Sequence, residues 1–110
     1  MALLHATQLA SAVVTNVTSP GTTLYTVPAG DRVIVRSIQM RNLWGGGANR
    51  CFIRINGLVL ADPNLATGQT SGDSLELRPW WVMTPGQLIQ VLVSNAAGIN
   101  VLISGSIYTI

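Results

Sequence analysis

The dipeptide Asn56-Gly57 stands between two apolar runs, "RCFIRI" and "LVLAD". Asn-Gly is the strongest short signal for a two-residue type I′ β-hairpin, because both central residues must adopt positive φ. A hairpin of this type makes its two strands antiparallel. It predicts the cross-strand pairs Ile55 with Leu58 and Ile53 with Leu60. This part of the chain is therefore expected to be antiparallel β-sheet.

Turns rich in Pro and Gly divide the rest of the chain into short runs of β-branched residues. Such turns occur at Ser19-Pro20-Gly21, at Pro28-Ala29-Gly30 and at Thr84-Pro85-Gly86. No run shows a helical period. About seven or eight short strands separated by turn residues are typical of an all-β fold, an antiparallel β-sandwich or jelly roll.

The run "DRVIVRSIQMRN" changes phase at its centre. Val33 and Val35 share one face of a strand, whereas Ile38 and Met40 would fall on the other face if the alternation continued. A β-bulge adds one residue to a strand and brings the two halves onto the same face. The sequence therefore predicts a bulge at residues 36–37.

The last two apolar runs, "QLIQVLVSN" and "INVLISGSIYTI", are apolar on both faces. Their predicted core residues are Ile89, Val91, Val93, Ile99, Val101, Ile103 and Ile107. Their opposite faces carry Leu88, Leu92, Leu102, Tyr108 and Ile110. A half-solvated sheet is normally polar on its second face, so we expect a partner to pack against Leu88, Leu92, Leu102 and Tyr108. Single exposed leucines are common, which is the alternative reading.

The composition supports a covered surface. Only 9% of the 110 residues are charged and 48% are hydrophobic, whereas soluble domains carry about 25% charged residues. A chain of this length forms one domain, which we place at residues 12–110. Either other subunits cover much of its surface, or Ser, Thr, Asn, Gln and Gly supply a neutral polar one.

Residues 1–11 form an apolar segment before the first clear strand, which we interpret as an N-terminal arm. Leu3 and Leu4 are expected to insert into a neighbouring chain as a clasp; the alternative is that the arm folds back as an edge strand of its own domain. No Lys or Arg precedes Arg32, so the segment does not look like a signal peptide. No apolar stretch approaches the roughly 20 residues of a membrane span.

The basic residues are all arginines, and five of the six lie between Arg32 and Arg54. A planar guanidinium suits hydrogen bonding across subunits, so Arg36, Arg41 and Arg54 are candidate interface residues. A nucleic-acid footprint is the alternative, but such sites carry denser basic patches. Direct nucleic-acid binding is therefore not expected.

Residues for chemistry are sparse. His5 is the single histidine, Cys51 the single cysteine, and the four carboxylates are scattered. The sequence predicts no enzyme activity, no metal site and no cofactor.

Three tryptophans remain as candidates for binding. Trp80 and Trp81 are adjacent, so one is expected in the core and the other available to a partner, and Trp44 precedes a run of glycines. We take Trp44 and Trp81 as interface candidates, since Trp is enriched at interface hot spots. Stacking of an exposed Trp on a sugar ring is the alternative.

Several segments, taken in order, resemble a group of small all-β virion proteins of tailed bacteriophages. They are "TLYTVPAGDRVIVRSIQMRN", the Gly-rich stretch, "FIRINGLVL", "SLELRPWWVMTPGQLIQVLVSN" and "VLISGSIYTI", and they span about residues 24–108. The resemblance implies a structural protein of the virion, assembled in the host cytoplasm. It implies a head decoration (cement) or minor capsid protein, or else a tail or neck component, and supplies no catalytic residues.

The resemblance also implies partners. They would be the major capsid protein or other virion proteins. The low charge and the second apolar face predict a homo-oligomer, and the resemblance to decoration proteins at capsid three-fold positions suggests a trimer.

Overall fold

A computed structural model describes residues 2–67 and 74–109 of the chain; residues 1, 68–73 and 110, and the side chains of residues 2–5, lie outside the description. The described residues contain strands and turns and no helix. The strands are β1 (Ala2–Val14), β2 (Thr22–Thr26), β3 (Asp31–Asn42), β4 (Asn49–Ile55), β5 (Leu58–Ala61), β6 (Asn64–Leu65), β7 (Ser74–Leu77), β8 (Trp81–Met83), β9 (Leu88–Val93) and β10 (Ile99–Thr109).

The strands form two antiparallel sheets packed as a sandwich. Sheet 1 has the order β1-β10-β3, with β7 and β8 pairing along successive stretches of β3. Sheet 2 has the order β2-β9-β4-β5, and β6 also pairs with β4. The predicted all-β sandwich is confirmed. The structure has ten strands among the described residues, whereas seven or eight were expected. The additional strands include β6 and β8, which have only two and three residues and are too short to show an alternating pattern in the sequence.

The bulge predicted in β3 is confirmed. Ser37 is opposite Ser104 and Val35 is opposite Gly105, so Arg36 has no partner in the register. As a result the apolar residues on both sides of the bulge are buried in the same core. They are Val33, Val35, Ile38 and Met40.

The predicted core faces of β9 and β10 are also confirmed. The buried residues among them are Ile89, Val91, Val93, Ile99, Val101 and Ile103, and the half-buried Ile107 packs against this cluster. The core lies between the inward faces of the two sheets, as the period-two alternation of each strand requires.

The Asn56-Gly57 hairpin forms, but its register differs from the prediction. Both residues have positive φ, 49° and 84°, and Ile55 pairs with Leu58 as expected. The next predicted pair is wrong: Ile53 lies opposite Ala61, because the register shifts by one residue at Leu60. The Asn-Gly pair predicts the turn, but it does not predict the extra residue at Leu60 that shifts the register.

The segment predicted as an arm belongs to a strand of this domain. Strand β1 runs from Ala2 to Val14 without a break at residue 11 and pairs with β10 along its length, with register shifts at Leu4 and Leu9. In the structure, residues 2–11 therefore fold back as an edge strand of their own domain, which was the alternative, and do not form a free arm. Pairing with the long strand β10 gives the backbone of residues 2–11 its hydrogen bonds. The side chains of Leu3 and Leu4 lie outside the described ones.

Deletion of residues 2–11 should destabilise the isolated domain. The deletion removes most of β1 and leaves one edge of β10 unpaired. We expect the melting temperature to fall by at least about 10 °C, since 1 kcal/mol is worth roughly 4–8 °C in a domain of this size. Thermal unfolding followed by circular dichroism measures the change. The exposed substitution Gln8→Ala is the control, and an unchanged melting temperature for the deletion would contradict the assignment of β1 to this domain.

Gly105 is the second stability test, because the chain passes close to it. A Cβ atom at this position would overlap the carbonyl oxygen of Ile34 and approach Leu9 Cδ1 to 3.1 Å. Gly105→Ala should therefore cost about 1–3 kcal/mol or more, the range found for overpacked sites. Urea unfolding measures this loss, with Ser104→Ala as the neighbouring control. Equal stability of the two variants would show that β3 moves aside without strain.

Candidate interaction surfaces

The outer face of sheet 1 is polar at one end and forms a shallow groove there. The groove has a volume of about 620 Å³ and crosses β1, β10, β3 and β7. Its lining residues include Gln8, Ser11, Gln39, Arg41, Glu76, Asn100 and Leu102. Two predicted interface residues, Arg41 and the half-buried Leu102, therefore lie together in this groove. Seven of its eleven lining residues have polar or charged side chains, but Met40, Leu75, Val101 and Leu102 also line it, and most of the groove surface is apolar.

Glu76 is the acidic group of the groove. Its carboxylate accepts hydrogen bonds from Gln39 Nε2 at 2.9 Å and from Arg78 Nε at 2.6 Å. These two donors, Gln39 first, lower the pKa of the Glu76 carboxyl below its ordinary value. The groove thus presents an ionised carboxylate beside neutral amides.

The other end of the same outer face is aromatic and apolar. We call it the Trp80 patch and define it by six residues: Arg32, Ile34, Arg36, Trp80, Val82 and Tyr108. The Cζ atom of Arg36 lies 4.2 Å from the centroid of the Trp80 ring, and Arg36 Nη1 donates to Ser106 Oγ at 3.3 Å. Arg36 and Tyr108, predicted as interface residues, are therefore close to one another on this surface.

One of the two adjacent tryptophans packs against the core and the other is exposed, as the sequence predicted. The exposed residue, however, is Trp80 and not Trp81, which was the predicted interface residue. Trp81 lies opposite Val35 and packs against the core, whereas Trp80 is 56% exposed. Trp81 is thus not the available side chain. Strand β8 begins at Trp81, whose pairing with Val35 turns its ring towards the core, whereas Trp80 precedes the strand and has a positive φ of 54°.

The outer face of sheet 2 is covered by the chain itself at Leu92. Leu92 is only 8% exposed, because the connection between β1 and β2 folds over it. A Cβ atom on Gly21 would lie 3.1 Å from Leu92 Cβ, and Asn16 accepts the N–H of Val93 at 3.0 Å. Leu92 is therefore not an open interface residue, contrary to the expectation. Leu88, at the other end of β9, is half-buried.

Arg54 also has a partner within the chain. Its Nη1 donates to Ser19 Oγ at 2.8 Å, which ties the β1–β2 connection to strand β4. The residue is half-buried. The predicted interface arginine thus acts in the structure as an internal tether.

Trp44 packs within its own loop. Its backbone N–H donates to Asn42 Oδ1 at 2.9 Å, and the Nδ2 of this buried asparagine donates to the carbonyls of Gly47 and Ala66. The indole lies against the glycines, since a Cβ on Gly46 would be 2.5 Å from Trp44 Nε1. The ring is half-buried, so only part of it is open to a partner.

The tip of the β4–β5 hairpin exposes three consecutive apolar residues that sequence reasoning did not select. Leu58 is 69% exposed, and Val59 and Leu60 are also exposed. The predicted register placed Leu58 and Leu60 on the same face as Ile53 and Ile55. In the structure β5 is the last strand on the path of sheet 2, and both leucines are exposed there.

The side chains that bind metals are scattered in the described part of the chain. Among them, no three His, Cys, Asp or Glu side chains come together in a group that could hold a metal ion. Cys51 is fully buried in the core, as its apolar neighbours predict. In the described part of the chain, no helix has the length and apolar character needed to cross a membrane.

Comparison with known proteins adds no assignment. No family model matches the chain, and no curated protein matches it either.

Cys51 gives a prediction about pH. Burial raises the pKa of its thiol from 9.0 to about 12, because the thiolate would lose its hydration. The stability contributed by the protonated thiol is complete below about pH 9 and is lost as the pH rises towards about 12. We expect urea unfolding to show a larger loss of stability above pH 9 for the native chain than for Cys51→Val. Parallel pH profiles would contradict a buried, protonated thiol.

Proposed function

We propose that the chain is a structural protein of a tailed-bacteriophage virion, a head decoration or minor capsid protein that binds and stabilises the assembled particle. The observation that carries the proposal is the amount of exposed apolar surface on a chain with 9% charged residues. Among the described residues, the exposed large hydrophobic side chains are Val13, Val17, Leu43, Leu58, Val59, Leu60, Leu75, Trp80 and Val82.

This surface favours a role in assembly. Exposed apolar side chains clustered in patches mark interaction sites, and here they cluster at the β4–β5 tip and at the Trp80 patch. Burial of such surface is worth about 25 cal/mol per Å². A cement protein stabilises a particle in this way, by joining neighbouring subunits without chemical reaction.

The partners in this proposal are the major capsid protein or other virion proteins. A symmetric homo-oligomer is the usual way to repeat such a contact, and a trimer would match a three-fold position of a capsid. The sequence order that resembles phage virion proteins supports the same assignment.

The alternative is a tail or neck component with a glycan-binding surface. The groove of sheet 1 favours it, because amide, hydroxyl and charged side chains such as Gln39, Asn100 and Glu76 suit the hydroxyl groups of a sugar. Decoration is preferred because the described residues that line the groove include no aromatic ring on which a sugar could stack.

Purified phage heads test the proposal. Heads that lack the chain should lose their DNA at a lower temperature than complete heads, and added protein should restore the difference and appear as density on the head in cryo-electron microscopy. The double substitution Leu58→Ser and Leu60→Ser should weaken this restoration, since it removes apolar surface that contributes little to the core. The exposed variant Gln8→Ala is the matched control.

Density confined to the tail, together with binding on a glycan array, would replace the head assignment by the alternative. Absence of the protein from purified virions would overturn both.

A further inference from the structure

We propose that the Trp80 patch is a docking surface for an acidic segment of a partner protein, in which carboxylates alternate with apolar side chains. The geometry of this surface carries the proposal, whether or not the chain belongs to a virion. The carboxylates would pair with Arg36 and Arg32, while the apolar side chains would cover Trp80 and Val82.

The first observation is the backbone at Trp80. This residue has a φ of 54°, although its side chain is large. A bulky residue in the left-handed region costs on the order of 1–3 kcal/mol, and such conformations persist where the surrounding structure holds them, often at functional sites. The side chain held in this way is 56% exposed. The folded chain therefore holds an exposed indole on a backbone conformation that is unfavourable for Trp80.

The second observation is the position of Arg36. It is the extra residue of the β3 bulge, and its guanidinium is fixed between the Trp80 ring and the hydroxyl of Ser106. A fixed guanidinium loses little entropy when it binds a carboxylate, and its planar donors favour a bidentate contact. Bulges often aim a side chain at a binding site.

The third observation is charge. Within residues 2–67 and 74–109, neither Arg32 nor Arg36 forms an ion pair. Arg32 Nε is also buried without a hydrogen-bond acceptor. Arg54 Nε, outside the patch, is in the same state, so the proposal depends on the charge of Arg32 and not on this nitrogen. The patch thus carries two cations that the described chain leaves unneutralised.

The fourth observation is the apolar surround. Val82 is 59% exposed and lies opposite Ile34, while Tyr108 lies opposite Arg32. Trp, Tyr and Arg are the residue types enriched where interfaces gain most of their affinity. The aliphatic side chains give a flat apolar contact between the two arginines.

A protein segment fits this surface better than a nucleic acid. Single-stranded nucleic acids are bound by successive aromatic platforms within a continuous basic groove. The patch instead has aliphatic side chains beside one exposed indole, and its two arginines would neutralise few phosphates. An acidic peptide with apolar side chains satisfies both parts of the surface.

Binding of a short fluorescent peptide of alternating Asp and Leu tests the proposal on the full chain. A peptide of alternating Asn and Leu is the matched probe, with the same length and apolar content. Fluorescence anisotropy should show that the Asp peptide binds at least about tenfold more tightly than the Asn peptide, and that high salt reduces this difference. Trp80→Ala and Arg36→Gln should each weaken binding of the Asp peptide about tenfold.

Two controls separate binding from folding. Val17→Ala, an exposed apolar substitution in the β1–β2 connection outside both patches, should leave peptide binding unchanged, and unchanged circular dichroism spectra should show that each variant is folded. Arg36→Lys keeps the charge but loses the planar guanidinium, so it should bind more weakly than the native chain. This variant leaves Trp80 in place and tests the patch even if Trp80→Ala misfolds.

Three results would overturn the proposal: no binding of the Asp peptide, equal binding of the two peptides, or full binding by Arg36→Gln. Tighter binding of a single-stranded oligothymidine, lost in Arg36→Gln, would also overturn it and would identify the patch as a nucleic-acid site.

Discussion

The pairing of β3 with β10, interrupted by one bulged residue, is the constraint on which the rest of the structure depends. These strands form the centre of sheet 1, and the apolar residues of β3 change phase halfway along, whereas those of β10 do not. Without the extra residue at Arg36, half of β3 would turn its apolar side chains to solvent. The bulge brings both halves into one core, and Gly105 lets the backbone of β3 approach at that point.

The same bulge shapes the surface. By taking Arg36 out of register it directs the guanidinium outwards, where Trp80 and Ser106 hold it. The bulge that brings both halves of β3 into the core thus also places the Arg36 guanidinium on the outer face. The two outer faces differ for a related reason: the β1–β2 connection covers Leu92 on sheet 2, whereas the described residues leave the Trp80 patch of sheet 1 open.

The exposed apolar surfaces support the proposed role in binding other proteins. Apolar side chains at the β4–β5 tip and at the Trp80 patch lie at separate places on a sandwich that measures 46 × 27 × 18 Å. Two separate patches suit a protein that bridges two neighbours, and a cement protein works in this way. The groove of sheet 1 is the surface on which the alternative, a soluble ligand, would bind.

The sequence by itself determined the fold class, the Asn56-Gly57 turn, the bulge of β3 and the core faces of β9 and β10. Each of these depends on short-range alternation or on the backbone freedom of one or two residues. Only the tertiary structure decided that residues 2–11 pair with β10, that Leu92 is covered, and that Trp80 rather than Trp81 is exposed. These outcomes depend on contacts between segments that are far apart in the chain. The alternation of residues within one segment does not predict which other segment packs against it.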